Sequence, residues 1–205
     1  MNDTLVTGGA GFIGSNLVKK LVKRGDNITV LDNLSTGAKE NINDVINETE
    51  LVNRPCSEIL DLELGKIDYI YHIGIPSSSP MYRENPMLVG SAIQEFTKVM
   101  ELAKEKNSKV VYASSSSLYG RCEPPHRENM EIEAFDYYTE ARLAMERLAK
   151  VYKELHDVNS VGIRFFSVYG PHEKNKGKYA NIVSQFYWKM KEGKQPKIYG
   201  DGEQT

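Results

Sequence analysis

The chain has few of the features that mark secreted, membrane-embedded or nucleic-acid-binding proteins. It carries two cysteines in 205 residues, and no apolar run approaches the ~20 residues that a membrane-spanning helix needs. Cys56 and Cys122 lack the spacing of metal-ligating pairs, so we predict reduced thiols and no metal site. Residues 1–7 lack the basic start and long apolar region of a signal peptide, and we therefore expect a cytoplasmic protein.

Charge and composition narrow the function classes further. The formal net charge of −2 and a pI near 6.1 argue against a nucleic acid or a membrane surface as the main partner. The hydrophobic content of 40% and charged content of 26% are ordinary for a soluble globular chain. This length predicts one substantial core with room for part of a second domain.

Short apolar runs alternate with longer amphipathic segments along the chain. This alternation predicts an α/β Rossmann fold, a doubly wound parallel sheet with the strand order 3-2-1-4-5-6. We predict strands at 3–7, 28–31, 49–53, 67–73, 109–113 and 160–166, with a last short one at Lys197 to Tyr199. We predict helices at 12–24, 38–46 (weak), 87–106, 136–156 and 179–191, and a Ser/Pro loop at 74–80.

A glycine-rich stretch, residues 7–14, follows the first predicted strand and opens the first helix. Gly8 allows a tight turn, Gly11 lets backbone N–H groups approach a pyrophosphate, and Gly14 lets the helix pack on the strand. Asp32, at the end of the second strand, suits the ribose hydroxyls of adenosine and would repel a 2′-phosphate. Glycine triplets also occur in ordinary turns, but the full order of strand, glycines, helix, strand and acid predicts an NAD site.

Two further positions suggest proton transfer. Tyr138 and Arg142 lie four residues apart, on one face of a predicted helix. A tyrosine exchanges protons near neutral pH when a fixed cation lowers its ordinary pKa of about 10. Ser115, in a run of four serines at the end of a predicted strand, could polarise a sugar hydroxyl opposite. Each feature alone also suits a surface pair or a strand end, whereas together behind a dinucleotide loop they favour catalysis.

The chain resembles the extended short-chain dehydrogenase/reductases, specifically the NAD-dependent nucleotide-sugar epimerase/dehydratases, and among them the members of UDP-glucose 4-epimerase type. The resemblance runs through almost the whole chain. The matching stretches are TGGAGFIGSNLV (7–18), LDNLSTG (31–37), YHIGIP (71–76), ASSSSLYG (113–120), YTEARLAMERL (138–148), IRFFSVYGP (163–171) and IYGDGEQT (198–205).

The resemblance implies a role for each matching position. Ser115, Tyr138 and Arg142 would be catalytic, and Tyr138 and Arg142 would also contact the cofactor. The remaining cofactor contacts would be Gly8, Gly11, Phe12, Ile13 and Gly14 at the pyrophosphate, Asp32 and Asn33 at the ribose, Asp61 and Leu62 at the adenine, Gly74 at the end of the central strand, and Phe166 and Val168 beside the nicotinamide.

Several departures from the family pattern bear on the reaction. Arg142 stands where the family has a lysine, and a planar guanidinium binds hydroxyls differently from an ammonium. Ser116 and Ser117 stand where the 4,6-dehydratases carry an Asp-Glu pair, which favours an epimerase over a dehydratase or a decarboxylase. A catalytically impaired NAD-binding protein is the further alternative.

The resemblance also implies a domain organisation and partners. Residues 1–170 would form the NAD-binding Rossmann domain, and residues 171–205 part of a substrate domain, because family members continue well beyond this point. We therefore expect a C-terminally truncated member whose substrate is a nucleotide-sugar, with a UDP-hexose favoured. Family members commonly form homodimers through two long helices; Met100, Leu143 and Leu148 would lie in that interface unless the same stripe faces the sheet.

Overall fold

Six parallel strands form one sheet in the order β3-β2-β1-β4-β5-β6, as the sequence predicts. The computed structural model describes residues 1–198 and 200–202. The central strand β1 is buried on both faces, and its Val6 lies beside Val30 on one side and Tyr71 on the other. The strands are β1 (Asp3–Thr7), β2 (Asn27–Leu31), β3 (Thr49–Val52), β4 (Tyr69–His72), β5 (Lys109–Ser115) and β6 (Ser160–Phe165).

Helices cover both faces of this sheet, as right-handed crossovers between parallel strands require. None of the helices in the described part of the chain is long and apolar enough to cross a membrane. The α-helices are α1 (Phe12–Arg24), α2 (Ser79–Glu84), α3 (Leu88–Lys106), α4 (Tyr137–His156) and α5 (Ile182–Lys191); 3-10 helices lie at Lys39–Glu48, Cys56–Asp61, Ser116–Tyr119 and Lys174–Tyr179.

The strand order positions the functional site. From β1 the chain proceeds outward through β2 and β3, and then returns to β4 on the other side of β1. At such a reversal the connections leave the carboxyl ends of neighbouring strands in opposite directions, and a crevice opens between them. The glycine-rich turn after β1 and the loop after β4 border this crevice.

The core has one large and one small cluster of apolar side chains. The large cluster joins α3 and α4 to the sheet through fully buried residues such as Phe96, Met100 and Met145. Met100 and Leu143 are buried within the chain, and Leu148 is partly buried against this cluster. Of the two alternatives for this stripe, the structure thus favours the one in which it faces the sheet. The homodimer itself stays a prediction.

The β6 strand lies at one edge of the sheet. It pairs with β5 from Val110↔Ser160 to Ser115↔Phe165. Within the described residues, no strand pairs with its outer side. Its Val161 and Ile163 are 61% and 40% exposed, so an apolar strand edge faces solvent.

Three local predictions differ from the structure. The Ser/Pro loop ends early, because α2 begins at Ser79 with Pro80 in its first turn, a position where proline costs no hydrogen bond. The last helix begins at Ile182, because a 3-10 segment precedes it and Asn181 caps it. Lys197 and Ile198 are not in a strand, and Tyr199 lies outside the described residues.

His72 closes β4 as a packed core residue. Its side chain is fully buried, with Nδ1 2.8 Å from the Thr7 hydroxyl and the ring centroid 5.9 Å from that of Phe96. Burial, and after it the positive charge of Arg142, lower the pKa of His72 to about 3. This histidine is therefore part of the core of the sheet.

The buried His72 predicts a pH-dependent stability. An unfolded chain binds a proton at this side chain below pH ~6.5, whereas the folded chain stays neutral until about pH 3. The free energy of unfolding should therefore fall by about 1.5 kcal/mol between pH 6.5 and pH 5 through this group alone. Urea unfolding of the wild type and of His72→Gln at both pH values measures the difference. The exposed His126→Gln control should keep the wild-type slope, and an equal slope in His72→Gln would contradict the prediction.

Candidate active site

A cleft of about 560 Å³ opens at the carboxyl ends of β1, β2 and β4. We call it the cofactor cleft. The glycine-rich turn forms its floor, and the loops after β2 and β4 form its walls. Of the residues that the sequence assigned to a cofactor, eight line it: Gly8, Gly11, Phe12, Ile13, Gly14, Asp32, Asn33 and Gly74.

Backbone contacts in the floor of the cleft leave no space for side chains. Gly8 has φ +69°, and a Cβ on it would lie 2.3 Å from the Cα of Gly74. A Cβ on Gly14 would lie 2.0 Å from the Gly8 carbonyl oxygen. Because no larger residue fits, the first turn of α1 stays bare and its free N–H groups can be approached by a diphosphate. The floor of the cleft therefore fits a dinucleotide.

Asp32 links the two loops beside this floor. Its buried carboxylate accepts hydrogen bonds from the backbone N–H of Ala10 at 2.9 Å and of Leu34 at 2.8 Å. Asn41 supports the same turn by donating to the Ala10 carbonyl at 2.8 Å. Each carboxylate oxygen keeps a free acceptor site, so a ribose hydroxyl can still be bound. Asp32 thus shapes the site besides offering it an acceptor.

Asp61 and Leu62, the predicted adenine pair, lie at the end of the 3-10 segment Cys56–Asp61. Asp61 is exposed, and Leu62 packs against the large core cluster. Glu95 of α3 also lines the cofactor cleft, and burial raises the pKa of its carboxyl group against the opposing charge of Lys98. This acidic residue of the cleft was not predicted as a site residue.

Tyr138 lies in the first turn of α4, which is fixed at its start. Asp136 and Thr139 form a capping box there, and the Ser79 hydroxyl donates to the Asp136 carboxylate. Tyr82 of α2 packs edge-on against the Tyr138 ring, with centroids 5.5 Å apart. Helix α2, whose residues the sequence had placed in or after a loop, therefore packs against one side of Tyr138.

Arg142 lies one turn later on the same helix and contacts Tyr138. Its Cζ is 4.8 Å from the centroid of the Tyr138 ring, within the range of a cation–π interaction. Its Nη2 donates to the Pro76 carbonyl at 2.7 Å, and the residue is 2% exposed. The guanidinium is thus held between the tyrosine face and the loop after β4. The sequence predicted the pairing of these two side chains but not the contact with Pro76.

Ser115 ends β5 and begins the turn that follows. Its hydroxyl accepts from the backbone N–H of Ser117 at 3.1 Å, and the two side-chain oxygens lie 2.8 Å apart. The turn Ser116–Tyr119 packs against α4, the helix that carries Tyr138. Ser115 therefore lies at the carboxyl end of β5, where the turn that packs against α4 begins.

The structure separates Phe166 from the other predicted cofactor residues. Because β6 ends at Phe165, the Phe166 ring leaves the sheet and stacks with His126 and Tyr119, at centroid distances of 6.4 Å and 6.2 Å. It lines a second groove, of about 760 Å³, beside β6. Val168, two residues later, is 40% exposed and is not among the residues that line the cofactor cleft.

Lys176 is a cleft residue that sequence analysis missed. It lies in the 3-10 segment Lys174–Tyr179 and lines the cofactor cleft, with Nζ 5.8 Å from the centroid of the Phe12 ring. The sequence around it contains three lysines and a glycine, a composition typical of a solvated turn. Only the path of the chain after β6 reveals that one of these lysines faces inward.

Comparison with known proteins agrees with this geometry. The chain is 35% identical over 213 aligned residues to UDP-glucuronic acid decarboxylase 1 of Xenopus tropicalis, with 98% of this chain and 49% of the relative covered. It is 34% identical over 213 aligned residues to a putative UDP-glucose 4-epimerase of Methanocaldococcus jannaschii, with 98% and 67% covered. The chain thus spans about half of the first relative and two thirds of the second.

A solved structure has the same architecture. The UDP-N-acetylglucosamine 4-epimerase from Methanobrevibacter ruminantium, in complex with UDP-N-acetylmuramic acid, superposes with a TM-score of 0.89 at 30% identity. The alignment covers 99% of this chain and 67% of that one. A family model also matches residues 4–205, which include the cofactor cleft, Ser115 and Tyr138. The chain therefore belongs to the NAD dependent epimerase/dehydratase family.

Proposed function

We propose that the protein is an NAD-dependent 4-epimerase of nucleotide-sugars, acting on a UDP-hexose pair such as UDP-glucose and UDP-galactose. The observation that carries this proposal is the pair of hydroxyl side chains after Ser115. Ser116 and Ser117 occupy positions at which a dehydratase needs strong acid and base groups, and serine supplies neither at neutral pH. Ser117 is instead hydrogen-bonded to Ser115. Epimerisation at a carbinol carbon needs a hydride removed from and returned to the carbon, which NAD would accept and give back, and one proton exchanged at the hydroxyl.

The side chains at the start of α4 and the end of β5 support this chemistry. When bound, NAD supplies a reversible hydride acceptor. Tyr138 would accept the proton of the sugar 4-hydroxyl and return it later in the cycle. Within the described residues its own hydroxyl has no hydrogen-bond partner, so it is available to a ligand. Ser115 would orient the sugar hydroxyl, and Arg142 would hold the tyrosine ring and place positive charge beside it.

A decarboxylase of UDP-glucuronate is the second candidate, because the relative with 35% identity is a UDP-glucuronic acid decarboxylase. The same tyrosine and serine could serve oxidation at C4 of that sugar. The two candidates differ in the product, since epimerisation leaves the mass unchanged and decarboxylation releases CO₂.

The first prediction concerns Tyr138. NAD-loaded protein should interconvert UDP-glucose and UDP-galactose with no change in mass, as followed by chromatography and mass spectrometry. Tyr138→Phe removes the proton acceptor and should lower the rate by roughly 10²-fold or more. Tyr137→Phe, at the exposed neighbouring tyrosine, should retain the wild-type rate. Failure of a folded, NAD-loaded protein to convert either sugar would rule out the epimerase, and CO₂ release from UDP-glucuronate would establish the second candidate.

The second prediction concerns Arg142. Arg142→Met keeps much of the side-chain volume but removes the charge and the hydrogen bond to Pro76. We expect kcat to fall by roughly 10²-fold, because the tyrosine loses its cation and its support. Arg142→Lys restores a charge at this position and should recover most of that loss. Full turnover by Arg142→Met, measured with the same sugars, would exclude this side chain from the proton-transfer machinery.

A further inference from the structure

The chain after β6 passes across the cofactor cleft. We call residues 170–179 the crossing segment. At its start, the Pro171 carbonyl accepts from Asn16 of α1 at 3.1 Å, and His172 Nε2 lies 3.1 Å from Lys19 Nζ. The other ring nitrogen of His172 lies 3.2 Å from the Asn41 side-chain oxygen. This end of the crossing segment is therefore tied to the glycine-loop side of the cleft.

The far end of the crossing segment is tied to the opposite side. The Lys178 ammonium forms a salt bridge with Glu84 of α2 at 2.7 Å, and the Tyr179 hydroxyl donates to the same carboxylate at 2.6 Å. The buried Glu173 accepts from the Asn181 N–H and the Ser184 hydroxyl, which joins the segment to α5. Because both ends are held, the residues between them span the mouth of the cleft.

Lys176 is directed into the cleft while Lys178 is directed away from it. Gly177, between them, has φ +52° and ψ −121°, a conformation that favours glycine and reverses the direction of the chain. Within the described residues, the Lys176 ammonium has no hydrogen-bond or salt-bridge partner; its close contact is the Phe12 ring. Phe12 is the first residue of α1, so this ammonium lies at the end of the helix where an anion is favoured.

The surroundings of Lys176 leave its charge poorly compensated. Burial lowers the pKa of its ammonium, opposed by the negative charge of Glu173 and by Tyr138. Each oxygen of Glu173 accepts one hydrogen bond, from Asn181 or from Ser184, and among the described residues no salt bridge joins this carboxylate to Lys176. An anion that enters the cleft would supply the missing counter-charge, and the bare turn of α1 already suits a diphosphate.

We propose that Lys176 binds the diphosphate of the dinucleotide in this cleft, so that the crossing segment holds the cofactor from above. The glycine-rich turn would contact the diphosphate from below through backbone N–H groups. The inference rests on the NAD site of the proposed function and not on which sugar is converted.

The test is calorimetric titration of NAD into nucleotide-free protein, in the absence of any sugar. Lys176→Met removes the charge and keeps an unbranched chain; we expect the Kd for NAD to rise about tenfold or more, the usual effect of losing one charge-assisted hydrogen bond. ADP-ribose, which carries the same diphosphate without nicotinamide, should lose affinity to the same extent. Lys176→Arg should recover most of the affinity, because it keeps a cation.

Lys174→Met is the matched control, since it removes an exposed lysine two residues away on the same 3-10 segment. It should bind NAD as the wild type does, and thermal unfolding should show both methionine variants to be folded. An effect of less than about threefold on NAD for Lys176→Met would overturn the proposal, as would an equal loss in Lys174→Met. Titration with UDP-glucose distinguishes the diphosphate of the cofactor from that of a nucleotide-sugar. If Lys176→Met lost affinity for UDP-glucose alone, Lys176 would be assigned to the substrate and the proposal would be overturned. Since no turnover is measured, the result is independent of the epimerase test.

Discussion

The backbone contact between Gly8 and Gly74 is the constraint on which the site depends. It brings the turns after β1 and β4 together at the point where the strand order reverses. Because neither residue has a side chain, the two turns pack directly against each other, and α1 begins close to the carboxyl end of β1. The same packing opens the space above the first turn of α1. The bare first turn of α1 therefore lies in one cleft with the buried Asp32 and with Lys176.

The sequence predicts the sheet almost completely, because strands buried on both faces are encoded as continuous apolar runs. It also predicts the glycine turn, because only glycine fits there. Helix α2 was missed, since six residues are too few for a helical pattern and the serines and proline around it resemble a loop. Lys176 lies in a short 3-10 segment and Phe166 just beyond the end of β6. At such positions the direction of a side chain depends on the path of the chain, and the sequence carries no periodic signal for it. The assignments of the catalytic residues stay predictions.

Arg142 and Lys176 together suggest how a site can work with an arginine at the position on α4 where the family that the chain resembles has a lysine. An arginine at that position reaches the Pro76 carbonyl and stacks on a tyrosine, which a shorter and more strongly hydrated ammonium would do less well. The charge at 142 is therefore committed to holding protein groups. A flexible ammonium is found instead on the crossing segment, facing the first turn of α1. Structural support and ligand contact, which one lysine can combine, would then be divided between two side chains.

The edge strand β6 has a consequence for the behaviour of this chain in solution. Within the described residues no strand pairs with the outer N–H and C=O groups of β6, and the strand exposes Val161 and Ile163. Such an edge is a template for any extended segment that meets it. Gly162 lies against the Tyr112 ring and has no side chain that could block such pairing. Charged residues or a proline at this edge would discourage aggregation during purification without touching the cofactor cleft. The exposed edge of the sheet is thus distinct from the strands that border the cofactor cleft.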